Sequence, residues 1–158
     1  MIITLIRHAK STWKEGVKDH DRSLSSRGVK DANLVFADVS SFLTPSSIIL
    51  SSTSNRTTQT AKIFSELNRV QFDSIRFKKE LYTFNTIELE KVIKKNNVEN
   101  LMIFGHNNAI TDFVNKYGDY YITNVPTCGV VIIQFEELDT FSTKKGVIIK
   151  TIFPRDLK

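Results

Sequence analysis

Two histidines and two arginines stand where chemistry is most easily done. Arg7-His8 directly follows the apolar run Ile2-Ile3-Thr4-Leu5-Ile6, and Gly105-His106-Asn107 directly follows Leu101-Met102-Ile103-Phe104. Arg56 comes after Ile48-Ile49-Leu50 by way of Ser51-Ser52-Thr53-Ser54-Asn55, at a helix start. In an open α/β sheet, ligands gather beyond the carboxyl ends of the strands, so three strands that each deliver a cation or an imidazole there can converge on one anion. A guanidinium fork matches the oxygens of a phosphate in shape and charge, and helix N-termini near Arg56 and Asn108 would aim backbone N–H groups at the same anion. Singly, a histidine after a strand reads as well as a hydrogen-bonded loop residue, and an arginine as a solvated or ion-paired one. The repetition at three strand ends carries the argument.

The elements that must hold these residues are legible from periodicity. Residues 2–6, 48–50 and 101–104 are short apolar runs bounded by polar residues or glycine, the pattern of parallel strands buried on both faces. Between them, Val29 to Phe42, Thr57 to Leu67 and Thr86 to Lys95 carry apolar residues at helical spacing, with Thr86 as N-cap of the third. A fourth helix is expected from Asn108 to Tyr117, closed by Gly118. Val130 to Phe135 and Val147 to Phe153 read as two further strands, paired antiparallel at the sheet edge across the polar connection Glu136 to Gly146. The expected fold is therefore α/β, a three-layer α/β/α arrangement with a mostly parallel central sheet and an antiparallel edge near the C-terminus, forming one domain over residues 1–158.

Composition narrows the class of protein. With 158 residues, 41% hydrophobic and 25% charged, the chain can bury a full core without a disulfide or metal staple. The net charge of +5 and pI near 9.3 favour anionic partners without choosing among them. The single cysteine, Cys128, has no intramolecular partner, which fits a reducing compartment, and the cytoplasm is the expected location. The first apolar run is too short for a secretory signal, and no stretch is long enough to span a bilayer.

Several segments together resemble one family. Arg7-His8-Ala9-Lys10-Ser11 is similar to the nucleophile motif of the histidine phosphatase (phosphoglycerate mutase-like) superfamily, with alanine in place of the usual glycine after the histidine. Asp21-Arg22-Ser23-Leu24-Ser25-Ser26-Arg27-Gly28 resembles the segment leading into its first helix, and Ser51-Ser52 through Arg56-Thr57-Thr58-Gln59-Thr60-Ala61 its second arginine motif. Gly105-His106-Asn107 matches its second-histidine motif. Val125-Pro126-Thr127-Cys128-Gly129 and the closing Phe153-Pro154-Arg155-Asp156-Leu157 resemble the small SixA-like branch.

The resemblance implies that one nitrogen of His8 attacks phosphorus and is transiently phosphorylated, after which water hydrolyses the phosphoenzyme. A neutral histidine is available near physiological pH, and a backbone carbonyl holding its other nitrogen would set the reactive tautomer. Arg7, Arg56 and His106 would surround the transferred oxygens, where charge is held through the transition state. No metal and no cofactor is called for. The resemblance also implies a carboxylic acid near the phosphate: Glu80 is the residue aligned with it and Asp21 the competitor, while Glu80 reads equally as a surface charge beside Lys78 and Lys79. A phosphohistidine substrate needs little acid help, because its imidazole leaving group has a pKa near 6.5.

The expected partner is a phosphorylated protein or a small phosphorylated molecule, with neither nucleic acid nor membrane. The intervals Ser11 to Val29 and Leu67 to Thr86 are short for the lid that a mutase needs to keep water out. His20 is expected to be a loop residue rather than a metal ligand with His8 and His106, and Lys10 and Trp13 to shape the pocket rim, although Trp13 reads at least as well as packing under the loop. The competing reading is a non-catalytic phosphate-anion or nucleic-acid binding protein, supported by the net charge alone. Its basic residues are scattered, without a recurring aromatic-basic pattern.

Overall fold

The computed structural model describes residues 1–44, 47–137 and 144–158. Six strands form one sheet: β1 (Ile2–Arg7), β2 (Ile48–Ser52), β3 (Arg76–Lys78), β4 (Asn100–Gly105), β5 (Val130–Gln134) and β6 (Val147–Ile152), in the order β3-β2-β4-β1-β5-β6. The first four in that order are parallel, and β5 and β6 run antiparallel at one edge. Between strands lie α1 (Ser26–Val39), α2 (Asn55–Leu67), α3 (Thr86–Lys95) and α4 (Ala109–Tyr117). The expected mostly parallel sheet with its antiparallel edge is the one observed. The polar connection expected over residues 136–146 lies largely outside the described residues.

Both sheet faces are covered, which explains the unbroken apolar runs. Ile3 and Leu5 on β1 join Leu101 and Ile103 on β4 in packing against Phe113 and Val114 of α4 and Ile93 of α3. Ile6, Met102 and Phe104 face the other way onto Val35 and Phe36 of α1 and Phe64 of α2. There Phe36, Phe64 and Phe104 make three edge-to-face contacts with centroids 5.3 to 6.2 Å apart, the preferred aromatic geometry.

Helix starts differ from the expected ones because capping outranks apolar periodicity there. α1 begins at Ser26 rather than Val29, since the Ser25 hydroxyl accepts from Gly28 N. α2 begins at Asn55, with Ser54 accepting from Thr57 N. Asn85 rather than Thr86 caps α3, its side chain accepting from Ile87 N. Gly28 is needed for close approach: a Cβ there would sit 2.1 Å from the Lys10 carbonyl oxygen, so α1 packs directly on the backbone that follows His8.

Candidate active site

The carboxyl end of β1 is fastened from three sides. Arg7 N donates to Gly129 O at 3.0 Å, His8 N to Gly105 O at 3.1 Å, and Cys128 N to the carbonyls of Arg7 and His8 at 3.1 and 3.0 Å. Ala9 N donates to Thr60 Oγ1 on α2 at 3.0 Å, and the Ala9 methyl is fully buried in the α1/α2 side of the core. Alanine thus fits where the family motif usually has glycine. Cys128 itself is buried with φ +61°, and burial pushes its thiol pKa up, so it is inert packing whose backbone makes the clamp.

His8 is buried, and its Nδ1 lies 2.8 Å from its neighbour's carbonyl, Ala9 O. An oxygen acceptor there makes Nδ1 the protonated nitrogen and leaves Nε2 unprotonated, its lone pair turned to the site. Nε2 faces Arg56 Nε, which donates to it at 3.3 Å. Burial, with help from the charges of Arg56, Arg7 and Arg22 and against the Ala9 hydrogen bond, brings the His8 pKa down to about 3. The imidazole is therefore neutral at physiological pH.

Arg56, only 2% exposed in the first turn of α2, is the hub. Besides His8, it reaches His106 Nδ1 at 3.4 Å through Nη2, Asp19 Oδ2 at 3.0 Å through Nη2, and the Asp19 carbonyl at 2.7 Å through Nη1. His106, 1% exposed at the end of β4, has Nε2 2.8 Å from Ser52 Oγ at the end of β2. Its ring centroid is 5.3 Å from that of His8. Burial first, then the neighbouring His8 and Arg56, lower its pKa to about 2. Arg7 spends Nη1 on Val125 O at 2.8 Å, while its buried Nε has no hydrogen-bond partner. A buried unpaired guanidinium N–H is costly unless something else accepts from it. The four residues therefore form one buried constellation with a spare donor, able to hold a tetrahedral oxyanion beside a neutral imidazole nucleophile.

Glu80 requires a correction. The structure does not bring it to this constellation: it is exposed on a 3-10 turn and borders a surface cavity of about 230 Å³ with Lys78, Glu88, Lys91 and Lys95. The turn points it outward while burying its neighbour Leu81 in the core. Asp21 is also exposed, 3.6 Å from His20 Nδ1. His20 donates to or accepts from Thr53 Oγ1 at 3.0 Å and packs edge-on against Tyr82, away from any shared ligand set with His8 and His106. Trp13 is 77% exposed and carries the Arg22 guanidinium on its ring face at 3.3 Å, in the loop that follows β1.

Sequence reasoning missed four participants. Asp19 is the carboxylate at the site, bound by Arg56, by Arg22 Nη1 at 3.1 Å and by the Tyr82 hydroxyl. Arg22 also reaches Ser11 Oγ at 2.6 Å and Thr12 O at 2.9 Å, which folds the loop after β1 over the site. Tyr82 packs against the His106 ring with centroids 5.4 Å apart, and Ser52 orients that ring from below. The signal for Asp19 and Arg22 was the charged cluster Lys18-Asp19-His20-Asp21-Arg22, and Ser52 stood inside the segment resembling the second arginine motif without a role of its own; nothing local marked Tyr82.

A model of the histidine phosphatase superfamily, branch 1, matches residues 3–82, half of the chain. The chain belongs to that superfamily. An uncharacterized chloroplastic protein of Arabidopsis thaliana is 27% identical over 143 residues, covering 84% of this chain and 65% of its own. An uncharacterized protein of Mycobacterium tuberculosis H37Rv is 32% identical over 104 residues, covering 64% and 62%. The chain thus spans somewhat under two thirds of the length of these curated relatives.

Among solved structures, the SixA protein of Agrobacterium tumefaciens superposes with a TM-score of 0.79 at 22% identity, covering 96% of both chains. The protein histidine phosphatase SixA complexed with tungstate gives 0.84 at 15% identity over 100% of both. The Entamoeba histolytica phosphoserine phosphatase in complex with 3-phosphoglyceric acid gives 0.66 at 14% over 99% of both. At these identities the likeness is one of fold, and that fold is SixA-like.

Proposed function

We propose that this chain is a phosphatase that passes a phosphoryl group through Nε2 of His8, acting on phosphohistidine in a protein or on a small phosphomonoester. The carrying observation is the His8 side chain: Nδ1 tied to the Ala9 carbonyl, Nε2 turned to Arg56, and a pKa low enough to keep the ring neutral. In the first step the Nε2 lone pair forms the N–P bond as the leaving group takes the electrons of its own bond to phosphorus. In the second, a water oxygen attacks phosphorus, the N–P electrons return to His8, and the water proton leaves with the phosphate or to solvent. Arg7, with its unpaired Nε, Arg56 and His106 hold the equatorial oxygens.

The position of the carboxylates bears on the substrate. Glu80 lies off the site, and Asp19 is held ionised. Partial burial alone would raise the Asp19 carboxyl, but hydrogen bonds from Tyr82, Arg22 and Arg56 outweigh it and bring it to about 2. A group that acidic is a poor proton donor at neutral pH. The arrangement therefore favours leaving groups that depart with little protonation, phosphohistidine before an alkyl phosphate. A cytoplasmic setting, where Cys128 stays reduced, suits such a substrate.

Replacing His8 by Ala is expected to lower turnover of a phosphohistidine peptide roughly 10³-fold or more while leaving the circular dichroism spectrum unchanged. Wild-type protein quenched after brief exposure to labelled substrate should carry an acid-labile, base-stable label. A label on serine, or none, would sink the proposal.

A further inference from the structure

Arg56 already has four of its five N–H groups engaged by protein atoms. Its Nε is spent on His8, Nη1 on the Asp19 carbonyl, and Nη2 on the Asp19 carboxylate and His106. A phosphoryl group in line with His8 Nε2 needs the same guanidinium edge that Asp19 now occupies. The carboxylate is an anion whose Oδ2 lies 3.0 Å from Arg56 Nη2, the nitrogen that also faces His106, so it already stands where a phosphoryl oxygen belongs.

We propose that Asp19 is a displaceable internal occupant of the phosphoryl site, which must leave Arg56 for substrate to bind and returns to it as inorganic phosphate departs. This rests on the phosphoryl-transfer reading above. The exchange is local. Asp19 lies on a three-residue 3-10 turn, Asp19–Asp21, with its side chain 38% exposed, so a small turn movement frees it without disturbing the core. The groups facing it are Arg56 from α2, Arg22 from its own loop, Tyr82 from the segment before α3, and His106 from the end of β4. Tyr82 shares Oδ2 with Arg56 and so restrains the resident carboxylate, while Arg22, on the other oxygen Oδ1 at 3.1 Å, can keep the displaced side chain close by, ready to return.

The consequence is a tuned affinity. Two arginines at a largely buried site would hold a phosphate dianion tightly and make product release slow. A resident carboxylate reduces the apparent affinity by the fraction of molecules in which it has moved away. Asp19 then trades substrate affinity for release of product.

Calorimetric titration of the full chain with inorganic phosphate tests this on wild type, Asp19→Asn and Tyr82→Phe. Asp19→Asn is near-isosteric and replaces the charge-assisted bond to Arg56 by a weaker neutral one, so the occupant is displaced more easily and the phosphate Kd should tighten roughly tenfold or more. Tyr82→Phe keeps every charge and removes one restraint on Asp19; it should tighten binding a few-fold. Unchanged or weaker binding by Asp19→Asn overturns the inference. Tighter binding by Asp19→Asn with no change in Tyr82→Phe also overturns it, because that pattern is simple loss of a repelling charge. If neither wild type nor Asp19→Asn binds phosphate, the phosphoryl-site reading itself fails and the inference falls with it.

Discussion

Two charged clusters of this chain differ in nearly every physical respect. At the ends of β1, β2 and β4, Arg7, His8, Arg56 and His106 are held by one another and by backbone, with Arg56 and His106 almost fully buried. Just beyond β3, Lys78, Glu80, Glu88, Lys91 and Lys95 line a shallow surface cavity, where the Lys91–Glu88 pair at 2.8 Å joins two exposed side chains. The second cluster holds more charged side chains, yet Glu80, Lys91 and Lys95 are exposed and Lys78 and Glu88 only half-buried. Electrostatic influence follows burial and fixed geometry rather than the number of charges, since exposed pairs are worth about 0–1 kcal/mol. The same reasoning shows why a carboxylate aligned by sequence, Glu80, is outranked by one that the fold delivers, Asp19.

The comparison breaks first at Arg56. Arg56→Lys keeps the charge but cannot make the fork, so kcat/KM should fall by about 30- to 1000-fold, the scale of losing a positioned oxyanion donor. Near-normal rates in a steady-state assay would reduce Arg56 to a structural residue. Ser52→Ala removes the partner of His106 Nε2 in a buried setting and should cost about 1–3 kcal/mol of transition-state stabilisation, while substrate binding by His8-independent contacts persists. Its measure is a fall in kcat larger than any rise in KM.

A smaller effect is expected on stability with pH. His8 and His106 have folded pKa values of about 3 and about 2, below the ordinary imidazole value. The unfolded chain, titrating near 6.5, then binds more protons than the folded one between those values. Stability should be full above about pH 6.5 and decline steadily as pH falls toward 3. Urea midpoints measured across that window should fall less steeply for His106→Gln than for wild type. The smallest effect belongs to the exposed cluster: Glu80→Gln and Lys91→Ala should each change the rate on phosphohistidine less than about twofold and stability by less than about 0.5 kcal/mol. A tenfold loss in Glu80→Gln would return the acid to Glu80.

Local sequence was sufficient for much of this molecule. The runs at residues 2–6 and 101–104 predicted central parallel strands because burial on both faces demands unbroken apolar residues, and β1 and β4 pair with each other at the sheet centre. Arg7, His8, Arg56 and His106 were visible because strand ends bring residues together by a topological rule, without knowledge of any side-chain packing. Helix starts were less legible, since Ser25, Ser54 and Asn85 act through single hydrogen bonds that periodicity does not register.

Only the tertiary structure decided the rest. Asp19, Ser52 and Tyr82 are ordinary polar residues in sequence, and their roles arise from contacts with residues 37, 54 and 63 positions away. The reactive face of His8 was likewise undecided until the Ala9 carbonyl and Arg56 took opposite sides of the ring. Residue types and strand order determine which groups arrive at the site, because both are written along the chain. Which nitrogen is free, which carboxylate is near and which donor remains unpaired depend on contacts between distant segments, and those exist only once the chain has folded.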